Sequence, residues 1–328
     1  MELLTSLKYK FSKNIPVNDS KAYKKYPHYQ KFYNRFNIFK YQGKKVGRLN
    51  QTPPFFPVFI KPDINLLGKN QDCYLVNNYQ DLETIRMKFK DTPKTYNKLF
   101  WMEFINGIEG SWDLILYKGS IMFKTHYLIH HTDNFLEDYK IIGEDIPFQF
   151  MSFIRKYFFD YTGILNIQYH KNTIIDISLR FDGEGKYILA SEDSKLIDQI
   201  NTFFEKPKPI IFNKLKKTYV YKVSVLSPIL FIPHPLIIEY ILPKHFKYYY
   251  YLEAGENKKS YLNIYTSNKE LGRKKQKELE KTYYTYNFIL ILLLIYFFRR
   301  FPENYFYIIL FIIYMRYGHI KVSEYRSL

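Results

Sequence analysis

Trp101-Met102-Glu103-Phe104-Ile105-Asn106-Gly107-Ile108-Glu109-Gly110-Ser111-Trp112-Asp113 sets two carboxylates around a glycine turn. Leu99 to Ile105 and Ser111 to Tyr117 have the aromatic and apolar density of strands, and Ser120 to Thr125 forms a third, with Lys118-Gly119 as the tight turn before it. Glu103 then lies on a strand, and Glu109 follows the turn. Without a ligand, the same residues make a β-hairpin with exposed acids.

Upstream, Val58-Phe59-Ile60 is a short strand after the breaker Gln51-Thr52-Pro53-Pro54. It ends at Lys61-Pro62, and Asn65-Leu66-Leu67-Gly68-Lys69 follows as a loop. A lysine at a strand end can neutralise phosphate oxygens, and a loop with a glycine lets backbone N–H groups approach them. Asp81 to Phe89 and Phe148 to Tyr161 read as helices. Downstream, Ile164 to Tyr169 and Thr173 to Leu179 read as paired strands joined at His170-Lys171-Asn172. Residues two apart on a strand share a face, which groups Asp176, Ser178 and Arg180, with Gln168 on the neighbouring strand. Their hard oxygen atoms suit Mg²⁺. An arginine beside them suits a phosphate or acyl-phosphate.

The order of these motifs resembles the ATP-grasp superfamily: a lysine–proline strand, a glycine loop, a Glu-Phe-Ile-x-Gly-x-Glu hairpin, Gly-x-x-Asn-Ile-Gln, and a final acidic strand ending in arginine. The match covers roughly residues 56–190. The resemblance implies an α+β fold in which two subdomains grip ATP. It also implies a reaction that activates a carboxylate as an acyl-phosphate for attack by an amine or thiol. Carried over by position, Lys61, Gly68 and Lys69 would bind ATP phosphates, Glu103 would lie at the adenine hinge, and Glu109 would bind ribose. Gln168, Asp176 and Ser178 would hold Mg²⁺, and Arg180 would face phosphate or the acyl substrate. Asp176 stands where the family usually has Glu, Ser178 where it has Asn, Leu179 where it has Pro. The second phosphate lysine has three candidates, Lys40, Lys44 and Lys45. The alternative implied by these departures is a degenerate ATP-grasp binding module acting as a membrane-attached structural protein.

The chain has 328 residues, 34 Tyr and 29 Phe, and a net charge of +18. The aromatic excess fits an A/T-rich coding bias of a viral kind, so no single tyrosine is read as functional. The charge favours anionic partners: nucleotides, nucleic acid or an anionic membrane face. Residues 1–55 interleave aromatics with Lys and Arg, as base-stacking surfaces do, but carry no nucleic-acid module signature. Ordinary helices account for them. Cys73 is the one cysteine, which excludes an intramolecular disulfide and suits a reducing compartment. Residues 1–15 lack an apolar stretch long enough for a secretory signal. His126, His130 and His131, with Asp133, Glu137 and Asp138, match no zinc spacing and are expected in a loop over the cleft.

The expected organisation is a basic aromatic segment 1–55, an ATP-grasp core 56–200, an extension 201–281, an apolar helical hairpin 282–317 and a tail 318–328. Phe288 to Phe298 and Tyr305 to Met315 are the two apolar legs, separated by Arg299-Arg300-Phe301-Pro302-Glu303-Asn304. They predict membrane attachment, as a short spanning pair or a wedge in one leaflet. The flanking basic residues put the soluble part on the cytoplasmic side. Nothing in the sequence fixes the oligomeric state.

Overall fold

The structure, a computed structural model, describes residues 9–64, 72–131, 137–142, 145–215, 217–226, 235–244, 246–254 and 258–300. The chain enters through α1 (Asp19–Lys25), a 3-10 turn at Pro27–Tyr33, and α2 (Arg35–Tyr41). Asn18 and Asn34 cap the two helices, their side chains accepting from Lys21 and Asn37 N–H groups.

A four-stranded antiparallel sheet follows, built from β1 (Val46–Arg48), β2 (Val58–Pro62), β3 (Tyr74–Val76) and β4 (Leu99–Glu103) in the order β1-β4-β2-β3. Between β3 and β4 lie α3 (Tyr79–Phe89) and the short α4 (Pro93–Tyr96). Leu82, Ile85 and Phe89 of α3 recur at helical spacing and bury against Val58, Ile60, Leu99 and Trp101. Residues 46–48 therefore belong to this sheet and not to a separate N-terminal segment.

The second sheet has eight strands, in the order β11-β12-β10-β7-β6-β5-β8-β9. Its central strands are β5 (Glu109–Tyr117), β6 (Ser120–His131), β7 (Glu137–Ile142), β8 (Gly163–His170) and β9 (Thr173–Ser178). Lys118 and Gly119, both at positive φ, turn β5 into β6, and a Cβ on Gly119 would sit 2.0 Å from the Phe159 carbonyl. Lys171 at φ 53° turns β8 into β9. One face of the sheet buries Trp112, Leu114, Leu165 and Ile167 under α5 (Phe148–Tyr157) and the N-terminal helices. The other buries Ile115, Phe123 and Ile164 under α6 (Lys186–Ala190) and α7 (Ser194–Glu205).

The sheet continues through β10 (Tyr219–Leu226), α8 (Pro235–Ile241), β11 (Lys247–Ala254) and β12 (Lys258–Thr266) into α9 (Lys269–Arg300). The chain beyond residue 200 thus extends the same sheet, and the expected boundaries at 200 and 281 fall inside α7 and α9. The apolar leg Phe288 to Phe298 is not a separate element. It is the end of one 32-residue helix whose buried positions Gly272, Gln276, Leu279, Tyr283, Asn287 and Leu290 recur every three or four residues. Among the described residues no helix is long and apolar enough to cross a membrane. The second leg, Tyr305 to Met315, lies outside the described residues.

At the β9 end of the large sheet, the Gln42 side chain pairs with both backbone groups of one residue of β9. Its Nε2 donates to Ile174 O at 2.8 Å and its Oε1 accepts from Ile174 N at 2.8 Å.

Candidate nucleotide site

The small sheet meets β9 through a lysine. Lys61 leaves β2 as a buried side chain, and its Nζ donates to Ile175 O of β9 at 3.2 Å. It also lies over the Phe39 ring, 5.3 Å from the centroid. Burial first, and then the neighbouring Arg35 guanidinium, push its pKa down to about 7, against the opposing pull of Asp176.

Arg35 completes the group. Asn34 bridges Ile64 just beyond β2, and Arg35 N donates to Asp63 O at 2.7 Å, which pins the start of α2 to the small sheet. The guanidinium then reaches β9. Its Nε donates to Asp176 Oδ2 at 3.0 Å, and its Nη2 bonds the same oxygen. Asp176 Oδ1 accepts from Ile177 N at 3.0 Å, so both carboxylate oxygens are engaged.

The other expected residues fall in several places. Gln168 pairs directly with Asp176 in the β8–β9 register, and Ser178 with Asn166. Arg180 lies just past the end of β9. Its Nη2 donates to Asp19 Oδ2 at 2.7 Å and its Nη1 to Phe181 O at 2.9 Å. Glu103 ends β4 as an exposed residue. Glu109 opens β5, with its Oε2 3.4 Å from His170 Nε2. Gly68 and Lys69 lie outside the described residues. Of the three candidates for a second phosphate lysine, Lys40 lies over the Phe36 ring and Lys45 over Phe55.

The residues at the expected metal positions do not fit Mg²⁺. In nucleotide sites Mg²⁺ is bound through one or two carboxylates together with substrate phosphates and water, so it needs at least one carboxylate free to coordinate. Asp176 is the only acid in the set, and an arginine holds it. Among the described residues no group of three His, Cys, Asp or Glu side chains could hold a metal ion. The histidine-rich stretch is likewise no loop. His126, His130 and His131 lie on β6, Glu137 and Asp138 on β7, and Asp133 lies outside the described residues. His126 is buried flat against Trp112, with ring centroids 4.0 Å apart, and pairs with Tyr169 Oη at 2.6 Å. Burial pushes its pKa down to about 4.

Two subdomains therefore face one another: a small antiparallel sheet backed by a helix, and the large antiparallel sheet. A lysine of the first lies on the last strand of the second. This is the ATP-grasp fold. Solved structures of ligases and synthetases share it. L-amino acid ligase from Bacillus licheniformis superposes with a TM-score of 0.54 at 13% identity, over 77% of this chain and 71% of that one. Carboxyaminoimidazole ribonucleotide synthase from Aspergillus clavatus, complexed with ATP, gives 0.55 at 11% identity, over 77% and 73%. N5-carboxyaminoimidazole synthetase from Staphylococcus aureus, complexed with ADP, gives 0.53 at 14% identity, over 77% and 72%. No family model and no curated protein matches the chain by sequence.

Sequence reasoning missed Arg35 and Asp19. Arg35 stands in an aromatic run, Tyr33-Asn34-Arg35-Phe36, that reads as a helix face. The one local signal was Asn34, a helix cap that fixes where Arg35 starts.

Proposed function

We propose that this ATP-grasp domain binds a nucleoside triphosphate at the joint between its two sheets, with Lys61 and Arg35 as the phosphate-binding cations. The observation that supports this best is the donor arrangement. Lys61 Nζ makes one hydrogen bond among the described residues, although an ammonium has three N–H donors. Arg35 uses Nε and Nη2 on Asp176 and keeps Nη1. Cationic donors at a subdomain joint suit polyphosphate. The likeness to structures solved with ATP and ADP supports the same reading. Titration of the full-length chain with a fluorescent ATP analogue tests it. Saturable binding is expected, weakened about ten- to a hundredfold by Lys61→Ala, as loss of a charged contact implies. Absence of saturable binding by the folded chain overturns the reading.

The second reading is turnover as a carboxylate–amine or carboxylate–thiol ligase, favoured by the fold of the ligases and by the Gln168–Asp176 register pair. It requires Arg35 to release Asp176. ADP release against pools of amino acids and short peptides would establish it, and a release that survives Asp176→Asn would place the reacting phosphate elsewhere.

The apolar end of α9 supports attachment to the cytoplasmic face of a membrane as a one-sided wedge. Phe288, Ile289, Leu292, Leu293, Ile295 and Tyr296 are all exposed there. Apolar attachment persists at high salt, whereas attachment through the basic surface is screened. Release of the chain from vesicles by salt alone excludes the wedge.

A further inference from the structure

The resemblance to ATP-grasp enzymes implies a divalent cation that Gln168, Asp176 and Ser178 would hold and that would supply positive charge to a phosphate. Here β9 keeps its carboxylate, Asp176, and its partner Gln168, but a guanidinium already sits on that carboxylate. Arg35 and the Asp176 side chain are largely buried, at 11% and 20% exposure. The arginine is not a chance surface contact, since α2 is fixed at both ends. Its first residue bonds Asp63 O, and Gln42 just after it bonds Ile174 of the same strand. Lys61 places a second cation against Ile175, one residue from Asp176. A divalent cation at Asp176 would meet two positive side chains and one neutralised carboxylate, and Coulomb repulsion disfavours it.

We infer that Arg35 takes the part of the divalent cation, so that this chain binds nucleotide phosphate without a metal. The inference rests on the nucleotide-binding reading of the same site. A guanidinium can bridge a carboxylate and a phosphate because its donors form a planar fork, with one edge on Asp176 and Nη1 left for a phosphate oxygen. Free ATP carries more negative charge than its magnesium complex, so a site built from two cations favours the free form. No bond is made or broken. The substrate class is a metal-free nucleoside polyphosphate.

The full-length chain is titrated with the fluorescent ATP analogue in EDTA and again in excess Mg²⁺. Binding in EDTA should be at least as tight as in Mg²⁺. Arg35→Gln should weaken binding in EDTA by about tenfold or more, the size of a lost charge-assisted hydrogen bond. Binding that vanishes in EDTA and returns with Mg²⁺ overturns the inference and leaves the nucleotide site standing. Unchanged affinity of folded Arg35→Gln in EDTA also overturns it. Absence of binding under both conditions overturns the nucleotide site itself, and the inference with it. Should Arg35→Gln fail to fold, the wild-type comparison decides alone, and Arg35→Lys asks whether charge suffices without the fork.

Discussion

Asp113 lies on β5, in the middle of the large sheet, and Asp176 on β9, at its edge. Among the described residues the interior carboxylate accepts from neutral donors alone: Asn166 Nδ2 at 2.9 Å, Tyr127 Oη at 2.9 Å and Asp182 N at 2.9 Å. Burial, and then the Asp182 carboxylate, push its pKa well above the ordinary carboxylate range. The edge carboxylate has two cations beside it instead. The middle of the sheet can satisfy an acid without any counter-charge, because strand neighbours supply N–H and O–H groups. At the edge the neighbours come from another subdomain, and those neighbours are charged. A buried acid is thus a packing element in one place and a charge in the other.

The largest test of that difference is Asp176→Ala. It leaves Arg35 as an uncompensated, mostly buried cation, so a loss of about 3 kcal/mol is expected, near the low end for a broken buried pair. Urea unfolding measures it. A loss as small as that of an ordinary surface substitution would show that the Arg35 pair contributes little.

Removing both partners, Arg35→Ala with Asp176→Ala, should cost less than the sum of the single changes. A coupling of about 1–2 kcal/mol is expected in the double-mutant cycle. Simple additivity would mean that the pair does not form in solution.

Asp113→Asn should cost less than about 1 kcal/mol, since the amide oxygen still accepts from Asn166 and Asp182 and its NH₂ can donate to Tyr127 Oη. It should also change the pH profile. A carboxyl whose folded pKa is raised contributes stability that is present below the unfolded value of 3.8 and lost as pH rises through the folded one. Wild type therefore loses stability from the ordinary carboxylate range toward neutrality, and Asp113→Asn should flatten that slope. An unchanged slope in the variant would assign it to another group.

The smallest effect concerns protons. Lys61 titrates near 7 in the folded chain against 10.5 ordinarily, so above neutral pH it is largely neutral until an anion arrives. Nucleotide binding at pH 8 should take up a fraction of one proton. Calorimetry in buffers of different ionisation enthalpy reads this directly. Proton release, or no buffer dependence, would separate Lys61 from the phosphate.

Much of the joint was legible because its parts are local. The glycine turn after Glu103, the Lys118-Gly119 turn and the strand pair carrying Gln168 and Asp176 follow from neighbouring residues and period-two patterning. Arg35 was not legible, because its partner lies 141 residues away and both sit in unremarkable surroundings. Asp19 with Arg180 is the same case, 161 residues apart. The histidine stretch, expected as a loop over the cleft, lies on β6 and β7 instead, because a buried imidazole stacked on Trp112 has the same letters as a polar loop residue. At the C-terminus, hydropathy changes at about residue 282 while the helical seam runs on unbroken from Gly272 to Leu290. Composition reports what surrounds a helix, and the seam reports what it packs on.

Gln42 has a consequence for the whole sheet. β9 ends an eight-stranded sheet, and an uncovered end strand is a template on which another chain can grow. One side-chain amide imitates the next strand at Ile174 for a single residue and stops there. The residue that follows the helix bringing a cation to Asp176 therefore also occupies part of that edge, and loss of Gln42 should show first in turbidity on standing.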